Sequence, residues 1–342
     1  MTNGKSGRNK KGYVNKKLKK KLITCLMVVA ILLITGIVEG YLTKDDPETG
    51  TTNDSNTTSE TTNIEGELIL TMIDVGQADS FLLEQNDKIV LVDCGTRSTG
   101  EDVVEYLKNQ GITKIDYVFG THPHDDHMGG MYDVITSFDI GTIIIPEVED
   151  GEVTANWYIK LMTEIQYGEY NVEYAKEGTM YDFGDAIIKI IGPISKPNNN
   201  LNNYSTMLKV SFGEMDIIMT GDAETDVEEE VLAKYRDELD AEILKAGHHG
   251  SDTSTSDEFL EAVSPDYALI SAKVGNKYEH PIKSVMDKFE EAEIDVYRTD
   301  ENGTVEVIIT AKDATFSCEP GDYLSGVELE ERENAQWKAT HQ

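Results

Sequence analysis

Thr121-His122-Pro123-His124-Asp125-Asp126-His127-Met128-Gly129-Gly130 decides how this chain is read. Four potential metal ligands fall within six residues, in the order H-x-H-x-D-H. His122 and His124 stand two apart, so in an extended or tightly turned segment their rings point the same way. Asp126 and His127 are adjacent; their side chains diverge and most easily serve a second ion beside the first. Asp and His are neither good core formers nor required by a turn, so chance rarely assembles such a cluster. The apolar run Ile115–Phe119 just before it reads as a strand that delivers the cluster at its end. The spacing predicts a two-metal site of the kind used in hydrolysis.

Two later stretches extend the pattern. Met219-Thr220-Gly221-Asp222 follows a predicted strand, Asp216–Met219, and leaves a carboxylate at its end. Lys245-Ala246-Gly247-His248-His249-Gly250-Ser251 sets a pair of histidines between glycines, where backbone and substrate can approach closely. With Met72-Ile73-Asp74-Val75-Gly76-Gln77-Ala78-Asp79-Ser80, Leu91-Val92-Asp93-Cys94-Gly95 and Tyr297-Arg298-Thr299-Asp300, these stretches resemble the metallo-β-lactamase superfamily. Within it they are similar to the hydrolase domain of ComEC-type competence proteins, the channel through which bacteria take up DNA. The similarity runs from about Glu67 to Thr310.

The resemblance implies an α/β fold, an αββα sandwich with metals at one edge between the sheets, and two divalent ions, Zn²⁺ or Mn²⁺. It implies that His122 and His124 hold metal one, that Asp126 and His127 hold metal two, and that Asp222 bridges them. His248 is then a further ligand of metal two. His249 contacts substrate or assists catalysis, although adjacent side chains can exchange these roles. His280, before Pro281, serves metal two or donates a proton to the leaving group, so that Asp126, His249 and His280 form the expected catalytic set. No histidine lies between His127 and Asp222, so the usual third imidazole for metal one is missing. Asn202-Asn203-Tyr204-Ser205 stands there instead; a harder shell of that kind tilts the choice from Zn²⁺ toward Mn²⁺. Asn203, Ser205, Lys245 and Ser251 are the expected substrate contacts. Asp74 and Asp93 each end a strand, where a carboxylate needs partners, and are expected to orient a metal-bound imidazole or pin a loop. Cys94 reads as a small buried residue, and Trp157 and the tyrosines as packing.

Charge divides the chain. The first 21 residues carry nine Lys or Arg and no acid, leaving 21 basic against 64 acidic residues in the remainder, a net charge of −43. So acidic a body repels bulk nucleic acid and anionic lipid and favours a soluble monomer. Three widely spaced cysteines give no disulfide framework. After the basic leader 1–21, an uncharged apolar run from Leu22 to Val38 is just long enough to span a bilayer, which takes roughly 17–25 residues. Lysines before it and acids after it place the N-terminus in the cytoplasm and the rest outside. Cleavage of the run would release the protein as a secreted one. Residues 39–65, rich in Thr, Ser, Asn and Asp, read as a disordered stalk. Residues 66–315 alternate strands and helices and read as the hydrolase domain, and 316–342 as a polar, acidic, loosely held tail.

The expected function is a membrane-anchored, extracytoplasmic, dimetal phosphodiesterase or nuclease, in which a metal-bound hydroxide attacks DNA. Two alternatives stand beside it: hydrolysis of cell-wall or small-molecule phosphoesters, and a non-catalytic metal-binding module. The intact H-x-H-x-D-H stretch disfavours the last, and the missing third imidazole disfavours lactamase activity.

Overall fold

The computed structural model describes residues 66–197 and 200–341. The predicted leader, membrane anchor and stalk lie outside them; no described helix is long and apolar enough to cross a membrane.

The chain first lays down β1 (Leu68–Met72), β2 (Phe81–Gln85), β3 (Lys88–Val92), β4 (Lys114–Phe119), β5 (Asp139–Ile145) and β6 (Asn171–Tyr174). A second sheet follows: β7 (Met180–Phe183), β8 (Ala186–Gly192), β9 (Met207–Phe212), β10 (Met215–Met219), β11 (Ile243–Lys245), β12 (Tyr267–Ile270) and β13 (Asp295–Arg298). The chain then returns to the first sheet, where β14 (Val305–Ile309) pairs antiparallel with β1 and β15 (Ala314–Phe316) with β14. Leu68, Leu70 and Met72 alternate along β1 and enter the core between the sheets, as a period of two requires.

Each sheet changes character midway. β1 to β3 and β7 to β10 are antiparallel, whereas β3 to β6 and β10 to β13 are parallel. Parallel neighbours need crossovers, and helices supply them. On the first sheet these are α1 (Gly100–Asn109), α2 (Asp125–Met128), α3 (Met131–Ile135) and α4 (Asn156–Tyr167). On the second they are α5 (Thr225–Tyr235), α6 (Asp257–Val263) and α7 (Lys283–Glu291). Buried apolar side chains form three core layers: between the sheets around Phe81, Phe119, Phe183 and Val210, beneath the first sheet's helices around Val103, Leu107 and Leu161, and beneath the second's around Val231, Phe259 and Phe289. The architecture is the expected αββα sandwich.

The Gly129-Gly130 pair explains how α2 is pulled against the end of β3. A Cβ on Gly130 would stand 2.1 Å from the Cys94 carbonyl oxygen and 2.7 Å from Gly100 Cα. Without side chains, backbone meshes directly: Cys94 N donates to His127 O at 2.7 Å, and Asp79 N to Asp126 O at 2.9 Å.

The expectation of a loose tail is corrected. Residues 326–340 form a helix, capped by Ser325, whose hydroxyl accepts from Glu328 N while the Glu328 carboxylate accepts from Ser325 N. Leu329 is fully buried, and the guanidinium of Arg298, itself paired with Asp300, donates to Leu324 O. The sequence also gave no hint of β6, β7 and β15; these are three- or four-residue strands at or near sheet edges, and β6 is mostly exposed.

Candidate metal centre

Parallel strands of one sheet all point their carboxyl ends the same way, and ligand sites form beyond those ends. Asp93 follows β3 with φ at 60°; Thr121 and His122 follow β4. Asp222 follows β10, Gly247–Gly250 follows β11, and Ser271 follows β12. Both parallel runs thus deliver their polar ends to the same edge of the sandwich.

The hub is Asp222 Oδ2. It lies 3.1 Å from His127 Nε2, 3.6 Å from His248 Nε2, 3.7 Å from His249 Nε2 and 3.9 Å from His122 Nε2. The tautomers follow from what the far side of each ring touches. His127 Nδ1 sits 2.8 Å from Asp93 Oδ2, so that nitrogen carries the proton and donates it. His249 Nδ1 likewise donates to the Ser271 carbonyl at 2.9 Å. His122 Nδ1 faces Thr121 Oγ1 and Ser205 Oγ, each at 3.2 Å; Thr121 Oγ1 already donates to Asp93, so it accepts from the ring. The inward Nε2 lone pairs of His122, His127 and His249 therefore converge on a carboxylate oxygen. Lone pairs facing a carboxylate repel unless a cation stands between them. His127 Nε2 and His249 Nε2 are buried without a hydrogen-bond partner, the condition that a metal would relieve. Donor atoms of His122, His127 and Asp222 lie within 4.8 Å of one another, as do those of Asp126, His127 and His249. This nitrogen and carboxylate set fits divalent transition ions.

Beneath the cluster lies a buried ion pair. Lys245 Nζ contacts Asp79 Oδ2 at 2.6 Å, donates to Gly221 O at 2.8 Å and approaches Asp222 Oδ1 at 3.5 Å. Asp79 Oδ1 in turn stands 3.4 Å from His249 Nδ1. Lys245 thereby occupies one side of the Asp222 carboxylate and leaves Oδ2 to the histidines. Burial disfavours the Asp222 charge, but His127, His249 and Lys245 outweigh it and hold the carboxyl well below its usual range. Burial likewise opposes charge on His127, yet Asp222 and Asp93 raise that imidazole well above its ordinary value, so that without an ion a second proton is the cation that stands at its inward nitrogen, the place a metal would take. Burial and the neighbouring His127 push His122 well below it.

Residues 73–272, more than half of the chain, match the sequence profile of the Metallo-beta-lactamase superfamily. The chain belongs to this superfamily. Among curated relatives, it is 31% identical over 267 residues to ComE operon protein 3 of Bacillus subtilis, covering 73% of this chain and 34% of that one. It is 30% identical over 243 residues to Competence protein ComA of Neisseria gonorrhoeae, covering 71% of this chain and 32% of the relative. Recombination protein 2 of Haemophilus influenzae is 28% identical over 240 residues, or 69% of this chain and 28% of the relative. The chain thus spans about a third of the length of these relatives, and the similarity to ComEC-type proteins extends across most of it.

Against the metallo-β-lactamase pattern, the structure brings His122, His124, Asp126, His127 and Asp222 to one place, with His124 Nδ1 3.0 Å from His122 Nε2. Several expectations are corrected. His249 joins Asp126 and His127, while His248 keeps its Nε2 3.6 Å from Asp222 Oδ2; both histidines adopt positive φ, 48° and 54°, and this left-handed turn sends His249 inward. His248 stays at the rim, with its side chain 24% exposed and its Nδ1 3.2 Å from Thr253 Oγ1. Lys245 is 1% exposed and cannot meet substrate. Ser205 is fully buried, its hydroxyl taken by Asp222 N and His122. Asn203 is buried with its carbonyl accepting from Glu224 N, and Ser251, also buried, contacts Thr253. Asp93 orients His127, whereas Asp74 is exposed and pins a turn through Gly76 N. Sequence reasoning missed Asp79 and Thr121. The available signal for Asp79 was a lone carboxylate between Ala78 and the apolar strand β2, a place that demands a partner.

His280 stands beside His248, with ring centroids 5.5 Å apart, and its Nδ1 has no partner. Burial, then the nearby His248 and His249, lower its pKa to about 4. Between about 6.5, the unfolded imidazole value, and about 4, the unfolded chain binds a proton that the folded protein refuses. Stability is therefore expected to fall as pH drops through that window and to level off below it. His280→Gln is expected to flatten this limb in a pH series of thermal melts; an unchanged slope would assign it to other groups.

Proposed function

We propose that the protein is a metal-dependent phosphodiesterase acting on DNA, held at the outer face of the membrane through residues 22–38 and working as a monomer. The observation that carries the reading is the convergence of inward imidazole lone pairs on Asp222 Oδ2. His122, His124 and Asp222 would hold one ion, and Asp126, His127 and His249, with Asp222 shared, the other. Two such ions, Zn²⁺ or Mn²⁺, supply Lewis acidity, which lowers the pKa of water and offsets charge on a phosphoryl group. The chain's own residues do the positioning. Asp93 and the Ser271 carbonyl fix the His127 and His249 tautomers, while Thr121 and Ser205 fix His122. His248 and His280, both held below the ordinary imidazole range chiefly by burial, are neutral rim bases placed to pass a proton at Nε2 or Nδ1.

DNA as substrate draws on the relatives, two of which carry competence or recombination in their names. The acidic body favours a second reading, a small or wall-linked phosphoester, because DNA binders usually present a basic face. Full-length protein supplied with Mn²⁺ or Zn²⁺ separates the two on single- and double-stranded DNA and on a generic phosphodiester, with Asp126→Ala as control. Metal-dependent DNA cleavage lost in the variant is the expected result. Turnover of the generic diester with DNA left intact would move the assignment to small esters.

A further inference from the structure

Resting on the phosphodiesterase reading, the rim beside the cluster points to the form of the substrate. Most tyrosines here are packing, but Tyr278 is 50% exposed. Its ring stacks on His280, with centroids 5.6 Å apart and planes inclined by 26°. His280 meets His248 edge-on, and His248 Nε2 reaches Asp222 Oδ2 at 3.6 Å. A ladder of aromatic rings thus runs from solvent to the candidate metal centre. Its outer rung is held in place. Asn276 Oδ1 accepts from both Tyr278 N and His280 N at 3.1 Å, while Asn276 Nδ2 donates to Lys273 O at 2.9 Å and to His280 O at 2.6 Å. An exposed aromatic on a knitted loop loses little entropy when it binds a flat ring. Lys277, exposed, carries its ammonium 4.6 Å from the Tyr278 ring, close enough to Asp126 to feel that carboxylate.

We propose that Tyr278, backed by His280, is a stacking platform for an unpaired nucleobase flanking the scissile phosphate, so that the site takes single-stranded nucleic acid. A paired base is occupied by its own stack and cannot lie on the ring. Stacking adds a hold on the strand through π-faces that does not depend on the net charge of the body.

The test is equilibrium binding by fluorescence anisotropy, using full-length protein supplied with Mn²⁺ and carrying Asp126→Ala to suppress turnover. A short single strand is compared with an abasic strand of equal length. Base–aromatic stacking predicts that the abasic strand binds about 5- to 150-fold more weakly. That gap should close with Tyr278→Ala and persist with Tyr278→Trp. Equal binding of the two strands, no binding of either, or a gap that survives Tyr278→Ala would overturn the platform. Turnover of a generic diester by the otherwise wild-type protein is scored separately. Turnover without base-dependent binding sinks the platform alone, and base-dependent binding without turnover of any diester sinks the phosphodiesterase reading alone.

Discussion

Lys245→Met is expected to cost the fold about 3–5 kcal/mol, the range for removing one partner of a buried ion pair. The ammonium is enclosed, bonded to Asp79 at 2.6 Å and to the Gly221 carbonyl at 2.8 Å, and stands 3.5 Å from Asp222. Burial disfavours its charge, yet Asp79 and Asp222 raise its pKa above the usual lysine value, so it stays protonated. Methionine fills similar volume but leaves two carboxylates facing each other without their cation. Urea unfolding should show a lower midpoint at unchanged slope. Adding Asp79→Asn should recover part of the loss, because the stranded charge is then removed, and the double-mutant cycle measures the coupling. A cost below about 1 kcal/mol, the scale of an exposed pair, would mean that water reaches the lysine.

Asp222→Asn is expected to reduce metal-dependent turnover by more than the roughly 10–100-fold lost when an outer partner of a metal ligand is removed. Asp222 Oδ2 is the atom that faces His122, His127, His248 and His249 together, so its charge is shared by both candidate ion positions. A second readout does not depend on activity. An ion bound by the folded state alone stabilises it by about 2.7 kcal/mol at a hundredfold excess over Kd. Wild-type protein should therefore melt at higher temperature when Mn²⁺ or Zn²⁺ is added, and Asp222→Asn should not. An equal metal-induced gain in both would move the ions away from Asp222.

Much of this was legible in the chain because it was local. The H-x-H-x-D-H stretch, the strand ahead of it and the alternation of strands and helices depend on residues close in sequence. What escaped depended on distance or on backbone twist. Lys245 looked like a rim cation because its partner Asp79 lies far away in sequence and on the other sheet's side of the chain. Ser205 looked available because nothing nearby reveals that Asp222 N and His122 claim its hydroxyl. The inward turn of His249 came from two positive φ angles that no periodicity encodes. The final helix was within reach: Ser325 and Glu328 spell a capping box, but its weak apolar pattern concealed it.

The candidate centre draws His122, Asp126 and His127 from one sheet and Asp222 and His249 from the other. An ion seated among them is a removable cross-link, tying together stretches of chain almost a hundred residues apart. Closing a loop of that length restrains the unfolded chain as a staple does, yet this staple can be withdrawn by any stronger chelator. Neither half of the sandwich carries the whole set, so a fragment ending at β6 has no centre to fill. Metal scarcity would then lower the resistance of the fold to unfolding at the same time as it stopped the chemistry.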